Sequence, residues 1–458
     1  MIALPQGFCE RMQALLGAEY EPFAASYANQ ERIQGLRVNL CKLSAAKLLQ
    51  KSPFPLEPVP WAPEGFYYPQ DARPGKHPYH EAGLYYIQEP SAMSAAVLLD
   101  AQPGERVLDL CAAPGGKSTQ IAARMQGEGL LVSNEFSPVR ARALSQNIER
   151  MGIAHTLVTN ETPERLAQRM PAYFDKVLVD APCSGEGMFR KEPEALAQWS
   201  LENIRRCAQR QQDILQAAAQ LLRPGGRLVY STCTFAPEEN EGTISCFLER
   251  FSDFTVEQVQ ACSLFSPGRP DWVQQGDART AATFRLMPHR LQGEGHYVAV
   301  LRKAGDGVHA NLPQQPAANP KQLEAYRQFA QETLQELPKD RLLLFGEQLY
   351  QMPEGMPELD GLRVLRPGLH LGTLKKGRFE PSHAWALALT QQKVRRTHNL
   401  AADSAQVQSY LRGETLDCAG EKGWTLVTVD GFALGWGKQS AGQLKNHFPK
   451  GLRWKGSL

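Results

Sequence analysis

From about residue 80 the chain repeats one pattern: a short apolar run rich in β-branched residues, a loop of small residues, then a helical stretch. Arg106-Val107-Leu108-Asp109-Leu110 leads into a Gly-rich turn and a predicted helix over 118–125. Leu130-Leu131-Val132-Ser133 leads into 138–151, where Arg140, Leu144 and Ile148 stand at i, i+4 spacing. Lys176-Val177-Leu178-Val179-Asp180 precedes a long helical stretch over 201–222 and then Arg227-Leu228-Val229-Tyr230-Ser231. Strands that read as continuous apolar runs, alternating with helices, predict an α/β fold: a doubly wound, mostly parallel sheet covered on both faces.

The flanking regions differ. Residues 1–75 mix helical stretches (8–16 and 44–49) with the strand candidate Gly35-Leu36-Arg37-Val38-Asn39-Leu40. The Pro- and aromatic-rich 53–78 reads as a connector or lid. After the α/β domain, placed at 76–304, residues 305–374 read as a linker and accessory region, with a helix near 322–337. A terminal module follows over 375–458, and its run from Trp424 to Trp436 reads as a hairpin or small barrel.

Charge separates the terminal module from the rest. The whole chain of 458 residues has 50 Lys/Arg and 48 Asp/Glu, a formal charge of +2. Residues 375–458 hold 13 basic and 6 acidic residues, so a mildly acidic body carries a basic tail. Such a tail is either a polyanion-facing surface or a solvated basic face. No stretch approaches 18 consecutive apolar residues, so no membrane partner is expected. The opening Met1-Ile2-Ala3-Leu4-Pro5-Gln6-Gly7 has neither a basic n-region nor an apolar h-region, so no secretory leader is expected. Nine cysteines without a C-x-x-C pair read as reduced thiols of a cytoplasmic protein, not as a disulfide framework or metal site.

Cys111-Ala112-Ala113-Pro114-Gly115-Gly116-Lys117 follows a strand and opens a helix, which aims backbone N–H groups at a ligand. It is not a Walker A loop, because Cys111 stands where the first glycine is required, and no G-x-G-x-x-G is present. A small-residue loop for a nucleoside-like ligand survives. Glu135 ends the next strand, 19 residues past Gly116, where doubly wound folds hold ribose hydroxyls; the alternative is a Glu capping the following helix.

Two more loops carry cysteines. Asp180-Ala181-Pro182-Cys183-Ser184-Gly185 and Ser231-Thr232-Cys233-Thr234 each follow a strand, so both face the crevice at the carboxyl ends of the sheet. A lone Cys is usually a small core residue. Two thiols and a carboxylate beside a nucleoside loop suit a specific chemistry. Carbon 5 of cytosine becomes a nucleophile once a thiolate adds at C6, and a carboxyl group can hydrogen-bond N3 or the exocyclic amine.

These three motifs, from Asp109 to Lys117, Asp180 to Gly185 and Ser231 to Thr234, resemble those of the S-adenosylmethionine-dependent RNA (cytosine-5)-methyltransferases of the Fmu/Sun type. The length and basic C-terminal extension resemble the bacterial branch acting on small-subunit 16S ribosomal RNA. The resemblance is strong over about residues 80–303 and looser outside. It implies a Rossmann-like domain in which Cys111, Ala112, Ala113, Pro114, Gly115, Gly116 and Lys117 line the S-adenosylmethionine site. Glu135 would hold the ribose, Asn160 would stand near the adenine, and Asp180 would lie between cofactor and target base. Cys233 would be the nucleophile and Cys183 would assist product release, with no metal. The resemblance also implies an RNA-binding α+β segment at the N-terminus and a PUA-like RNA-binding module at the C-terminus. In that module exposed aromatics with Lys445, Lys450, Arg453 and Lys455 would meet RNA, while Trp424 and Trp436 themselves read as core of a small barrel. Arg190 and Lys191 are candidates for phosphate contact near the active site, or a solvated pair. The expected partner is RNA, most directly 16S rRNA or the small subunit, and the expected enzyme is a monomer. A DNA methyltransferase, expected to use the Pro-Cys thiol, is disfavoured by the Thr-Cys motif. The alternatives are a noncatalytic RNA-binding assembly factor and a tRNA methyltransferase.

Overall fold

In the computed structural model, which describes residues 4–28, 32–337 and 341–455, five parallel strands form the centre of the largest sheet. Their spatial order is Leu222–Thr232, Phe174–Asp180, Arg106–Asp109, Leu130–Asn134, Thr156–Thr159. From Arg106–Asp109 the chain winds outward twice, then returns to lay Phe174–Asp180 on the other side. That reversal opens a crevice between the two strands at their carboxyl ends. Antiparallel strands extend the sheet on both flanks: His296–Lys303 pairs with Leu222–Thr232, and Val364–Pro367 with Thr156–Thr159. The doubly wound expectation is borne out.

Successive side chains of a strand point to opposite faces, and two separate cores result. Leu108, Val132, Val177 and Leu228 pack on one face; Val107, Leu131, Leu178 and Val229 pack on the other. The helix Leu201–Leu221 starts at Ser200, whose side chain accepts from the Asn203 amide, and buries Ile204, Cys207, Gln211, Ile214 and Leu215 along one stripe.

Around this domain lie three smaller sheets. The first orders Glu57–Val59, Ala62–Tyr67, Gly35–Val38 and Tyr85–Ile87. It corrects the reading of 53–78 as a connector: Val59, Trp61, Ala62 and Phe66 are buried there, and burial of these apolar side chains outweighs the prolines. Because Tyr85–Ile87 pairs with Gly35–Val38, this unit runs past the expected end at residue 75. A second sheet, over residues 342–381, crosses the expected junction at 374/375 through the pairing of Leu369–Lys375 with Arg378–Pro381. The third is five-stranded and terminal. Its central hairpin joins Gly423–Val429 to Phe432–Ser440 through Asp430 and Gly431, with φ of 47° and 88°. Two positive φ values suit a tight hairpin turn, and glycine reaches the second without strain.

The N-terminal helices Gln6–Leu16 and Tyr20–Ala28 brace the domain at one place. Phe8 packs edge-on against Phe189 at 5.1 Å, and Phe23 against Phe235 at 5.3 Å. Phe189 and Phe235 belong to the chain just beyond Cys183 and Cys233. Residues 1–3, part of the stretch read for a leader, lie outside the described residues. Among the described residues no helix is long and apolar enough to cross a membrane.

Candidate active site

The ends of the Arg106–Asp109, Leu130–Asn134, Phe174–Asp180 and Leu222–Thr232 strands, with their loops, border one cleft of about 1250 Å³. Cys111, Ala113, Pro114 and Lys117 line it from the first loop. Ala112, Gly115 and Gly116 stand behind the lining. Gly115 has φ +111°, and a Cβ there would come within 3.1 Å of Leu144, so glycine lets the loop lie against the neighbouring helix. From the N-terminal sheet, the buried Arg37 donates to the Gly116 carbonyl at 3.1 Å and to Thr119 at 2.7 Å. That unit therefore fixes the start of the helix Gly116–Arg124.

Glu135 lies at the cleft, where its carboxylate accepts from the Ser137 amide at 2.8 Å and faces Arg140 at 3.6 Å. The helix-capping alternative is thus also visible: one oxygen holds the chain ahead of helix Pro138–Arg150, and the other keeps only a long ionic contact. The exposed Phe136 lines the cleft beside it. Asn160 does not line the cleft. Its amide donates to the carbonyls of Glu135 and Phe136 at 2.7 and 2.8 Å, so it supports their backbone from behind.

Asp180 has three neighbours. Lys117 Nζ donates to one oxygen at 2.7 Å; Ser231 Oγ donates to the other at 2.8 Å, and His296 Nε2 lies 3.6 Å from it. Burial acts to raise its pKa, but Lys117 and then His296 outweigh burial and hold the carboxyl well below the usual range. Asp180 is therefore a carboxylate, an acceptor suited to an amine and not a donor to a ring nitrogen. Asp109, buried behind it and bonded to Ser118 at 2.7 Å, behaves oppositely: burial first, then the Asp180 charge, pushes it up to about 7.

Cys183 and Cys233 come together, their sulfurs 3.3 Å apart. The bond to Cys233 first, then burial, holds the Cys183 thiol well above its ordinary pKa.

Several positions depart from the sequence expectation or carry no signal in it. Arg190 is buried, bonded to Glu294 at 2.6 Å and to the carbonyls of Ser26 and Gly293, so its guanidinium is spent on tying the N-terminal helices to the domain. Lys191 lies 3.8 Å from Glu294. His296, nearly buried beside Asp180, carried no signal, because a lone His opening a strand is uninformative. In the terminal module Trp385, Tyr410, Trp436 and Phe448 are buried and Trp424, Phe432 and Trp454 half-buried. No Phe, Tyr or Trp of its described residues is exposed: Trp424 and Trp436 belong to the core as read, and the expected surface of exposed Phe, Tyr or Trp rings is corrected. Lys445, Lys450 and Lys455 are exposed there, and Arg453 is half-buried.

Comparison with known proteins extends over the whole chain. Residues 96–302 match the 16S rRNA methyltransferase RsmB/F family. Residues 4–90, 328–389 and 397–454 match the N-terminal, first C-terminal and PUA domains described for RsmF. A ribosomal RNA small subunit methyltransferase F of Klebsiella pneumoniae is 35% identical over 100% of this chain and 98% of its own. The protein of the same name from Vibrio cholerae is 33% identical over 98% of both. A solved methyltransferase homolog from Pyrococcus horikoshii, 30% identical, superposes with a TM-score of 0.59 over 66% of this chain and 96% of its own. The chain belongs to the 16S rRNA methyltransferase RsmB/F family.

Proposed function

We infer that this methyltransferase transfers a methyl group to carbon 5 of a cytidine in 16S ribosomal RNA. The observation that carries the reading is the pair of sulfurs 3.3 Å apart, on loops from adjacent parallel strands, beside a carboxylate in the same cleft. The cleft fits S-adenosylmethionine on its other side: loop 111–117 opens a helix there, and Glu135 keeps one oxygen with only a long ionic contact. When bound, S-adenosylmethionine supplies an electrophilic methyl group on a sulfonium.

Cys233 as thiolate adds to C6 of cytosine, forming an S–C6 bond and leaving carbon 5 electron-rich. Asp180, kept ionised by Lys117, accepts from the exocyclic amine and orients the ring. Once carbon 5 is methylated, its proton must leave. The Cys233 sulfur is then bonded to C6, so the largest cause that kept Cys183 protonated lapses. Cys183, which lines the cleft, can then pass its proton to solvent there and, as thiolate, take the one on carbon 5. The C5–C6 double bond re-forms, and the S–C6 bond breaks with its electron pair returning to Cys233. The pairing of the thiols thus orders the two steps.

Labelled methyl transfer to small subunits and naked 16S rRNA, followed by nucleoside analysis, tests the reading. Label in 5-methylcytidine supports it. Label in another nucleoside, or in tRNA in preference to rRNA, overturns it.

A further inference from the structure

The loops bearing the two thiols are joined by a reciprocal pair of buried carboxyl groups. Glu186, three residues past Cys183, reaches into the Cys233 loop: its Oε2 accepts from Thr234 Oγ1 and from the Phe235 amide, both at 3.0 Å, and its Oε1 from Trp199 at 2.8 Å. Glu239, six residues past Cys233, reaches back. Its Oε2 accepts from the Ser184 amide at 3.0 Å and from Gln211 at 2.9 Å, while Gln211 also donates to the carbonyl of Pro182 at 3.0 Å. Glu239 thereby holds the residues on both sides of Cys183, one directly and one through Gln211. Between the carboxyls, Ser184 Oγ bonds Thr234 Oγ1 at 2.8 Å, and the Gly187 amide donates to the Cys233 carbonyl at 2.8 Å. Glu186 and Glu239 are 1% and 0% exposed, and neither lines the cleft, so neither touches substrate.

Burying two carboxyls is costly unless their bonds are worth it. Here every bond they make is spent on the two cysteine loops or on the Trp199 and Gln211 side chains that buttress them. The strands alone do not fix the sulfurs, because each cysteine sits beyond its strand end in irregular chain.

We propose that Glu239 and Glu186 are positioning residues with separate steps: Glu239 aligns Cys183 for release of the product, and Glu186 aligns Cys233 for addition to the base. The proposal rests on the cytosine-5 reading above. Misplacing a reacting group by about 1 Å costs on the order of 100-fold, and each loss should appear in its own step. With Glu239→Ala, Cys233 still adds but the C5 proton is removed slowly, so the S–C6 bond persists. With Glu186→Ala the adduct forms slowly and never accumulates.

The experiment incubates full-length variants with S-adenosylmethionine and 16S rRNA. It follows turnover, SDS-resistant protein–RNA species and, as a check of folding, cofactor affinity by calorimetry. Expected are a turnover loss of roughly 10- to 100-fold in both alanine variants and a trapped species in Glu239→Ala alone, abolished by adding Cys233→Ala. Glu239→Gln, which keeps an acceptor for Ser184 and Gln211, should shed most of the trapped species. Gln211→Ala, a milder cut of the same tie, should trap in smaller amount and serves if Glu239→Ala does not fold. Trapping by neither or by both alanine variants, with Cys183→Ala trapping normally, overturns the division of steps. If Cys183→Ala itself traps nothing, or the wild type makes no 5-methylcytidine, the reading beneath it falls instead.

Discussion

The sulfurs of Cys183 and Cys233, 50 positions apart in the chain, lie 3.3 Å from each other in the lining of one cleft. That contact, with burial, raises the Cys183 thiol above its ordinary pKa, and on the mechanism proposed here the two thiols do unequal work.

Cys233→Ala should abolish methyl transfer, since without addition at C6 the ring carbon is not nucleophilic. Cys183→Ala should leave addition intact and accumulate an SDS-resistant protein–RNA species, absent from the double variant. The reverse pattern would exchange the roles of the two cysteines. Gel mobility after denaturation distinguishes them.

Lys117→Ala should move the acid limb of the activity profile upward. Asp180 is held ionised mainly by Lys117 at 2.7 Å. Without that ammonium, burial raises the carboxyl, and the acceptor form is lost at a higher pH. The wild type should keep Asp180 ionised across the acid range, because its folded pKa is depressed. The stability that this pair contributes is lost only as pH falls through that low value. Initial rates from about pH 5 to 8 would show the shift, and an unmoved limb would remove Lys117 as the controlling charge.

Asp109→Asn should alter the pH dependence of stability in the opposite sense. The folded pKa of Asp109 is raised to about 7, above the unfolded value. As pH rises from about 4 to 7 the unfolded chain loses this proton first, so the wild type loses stability over that window. The Asn variant lacks this component. Chemical denaturation at several pH values should show its stability rising relative to wild type toward pH 8, and parallel curves would mean that Asp109 is ionised in the fold.

Glu135→Ala should weaken S-adenosylmethionine binding in calorimetry by roughly 1.5–3 kcal/mol for each charge-assisted ribose bond removed. Asn160→Ala should act through the same residue, because Asn160 holds the Glu135 and Phe136 carbonyls. Its effect should be smaller and should vanish in the Glu135→Ala background.

Neutralising Lys445, Lys450 and Lys455 to Gln should flatten the dependence of log RNA affinity on log salt by up to about 2, at roughly 0.7 for each phosphate no longer neutralised. Point changes are preferable to deleting the module. The core shared by Phe329, Leu371, Trp385 and Trp436 spans the accessory region and the terminal sheet, and truncation at 375 would open it. An unchanged slope would make the basic tail a solvated face.

Much of the fold and the outline of the site were legible because both are written in local patterns. Apolar runs of strand length alternating with helices encode a wound parallel sheet, and such a sheet brings the loops after its strands to one edge. Loop 111–117, Glu135, Asp180, Cys183 and Cys233 could therefore be placed around one crevice from their positions alone, and all five adjoin the same cleft. What the sequence could not carry is which side chain meets which. The pairing of Lys117 with Asp180, the crossing of Glu186 and Glu239 between loops, and the burial of Arg190 against Glu294 depend on strand register and on helices arriving from the N-terminus. The strand Val364–Pro367 shows the same limit: four residues acquire their structure only because an edge some 200 positions earlier offers unpaired backbone groups. Residue patterns determined where the chemistry could gather. Its protonation states were decided by tertiary structure, because burial and neighbouring charge, which set them, exist only once distant segments pack together.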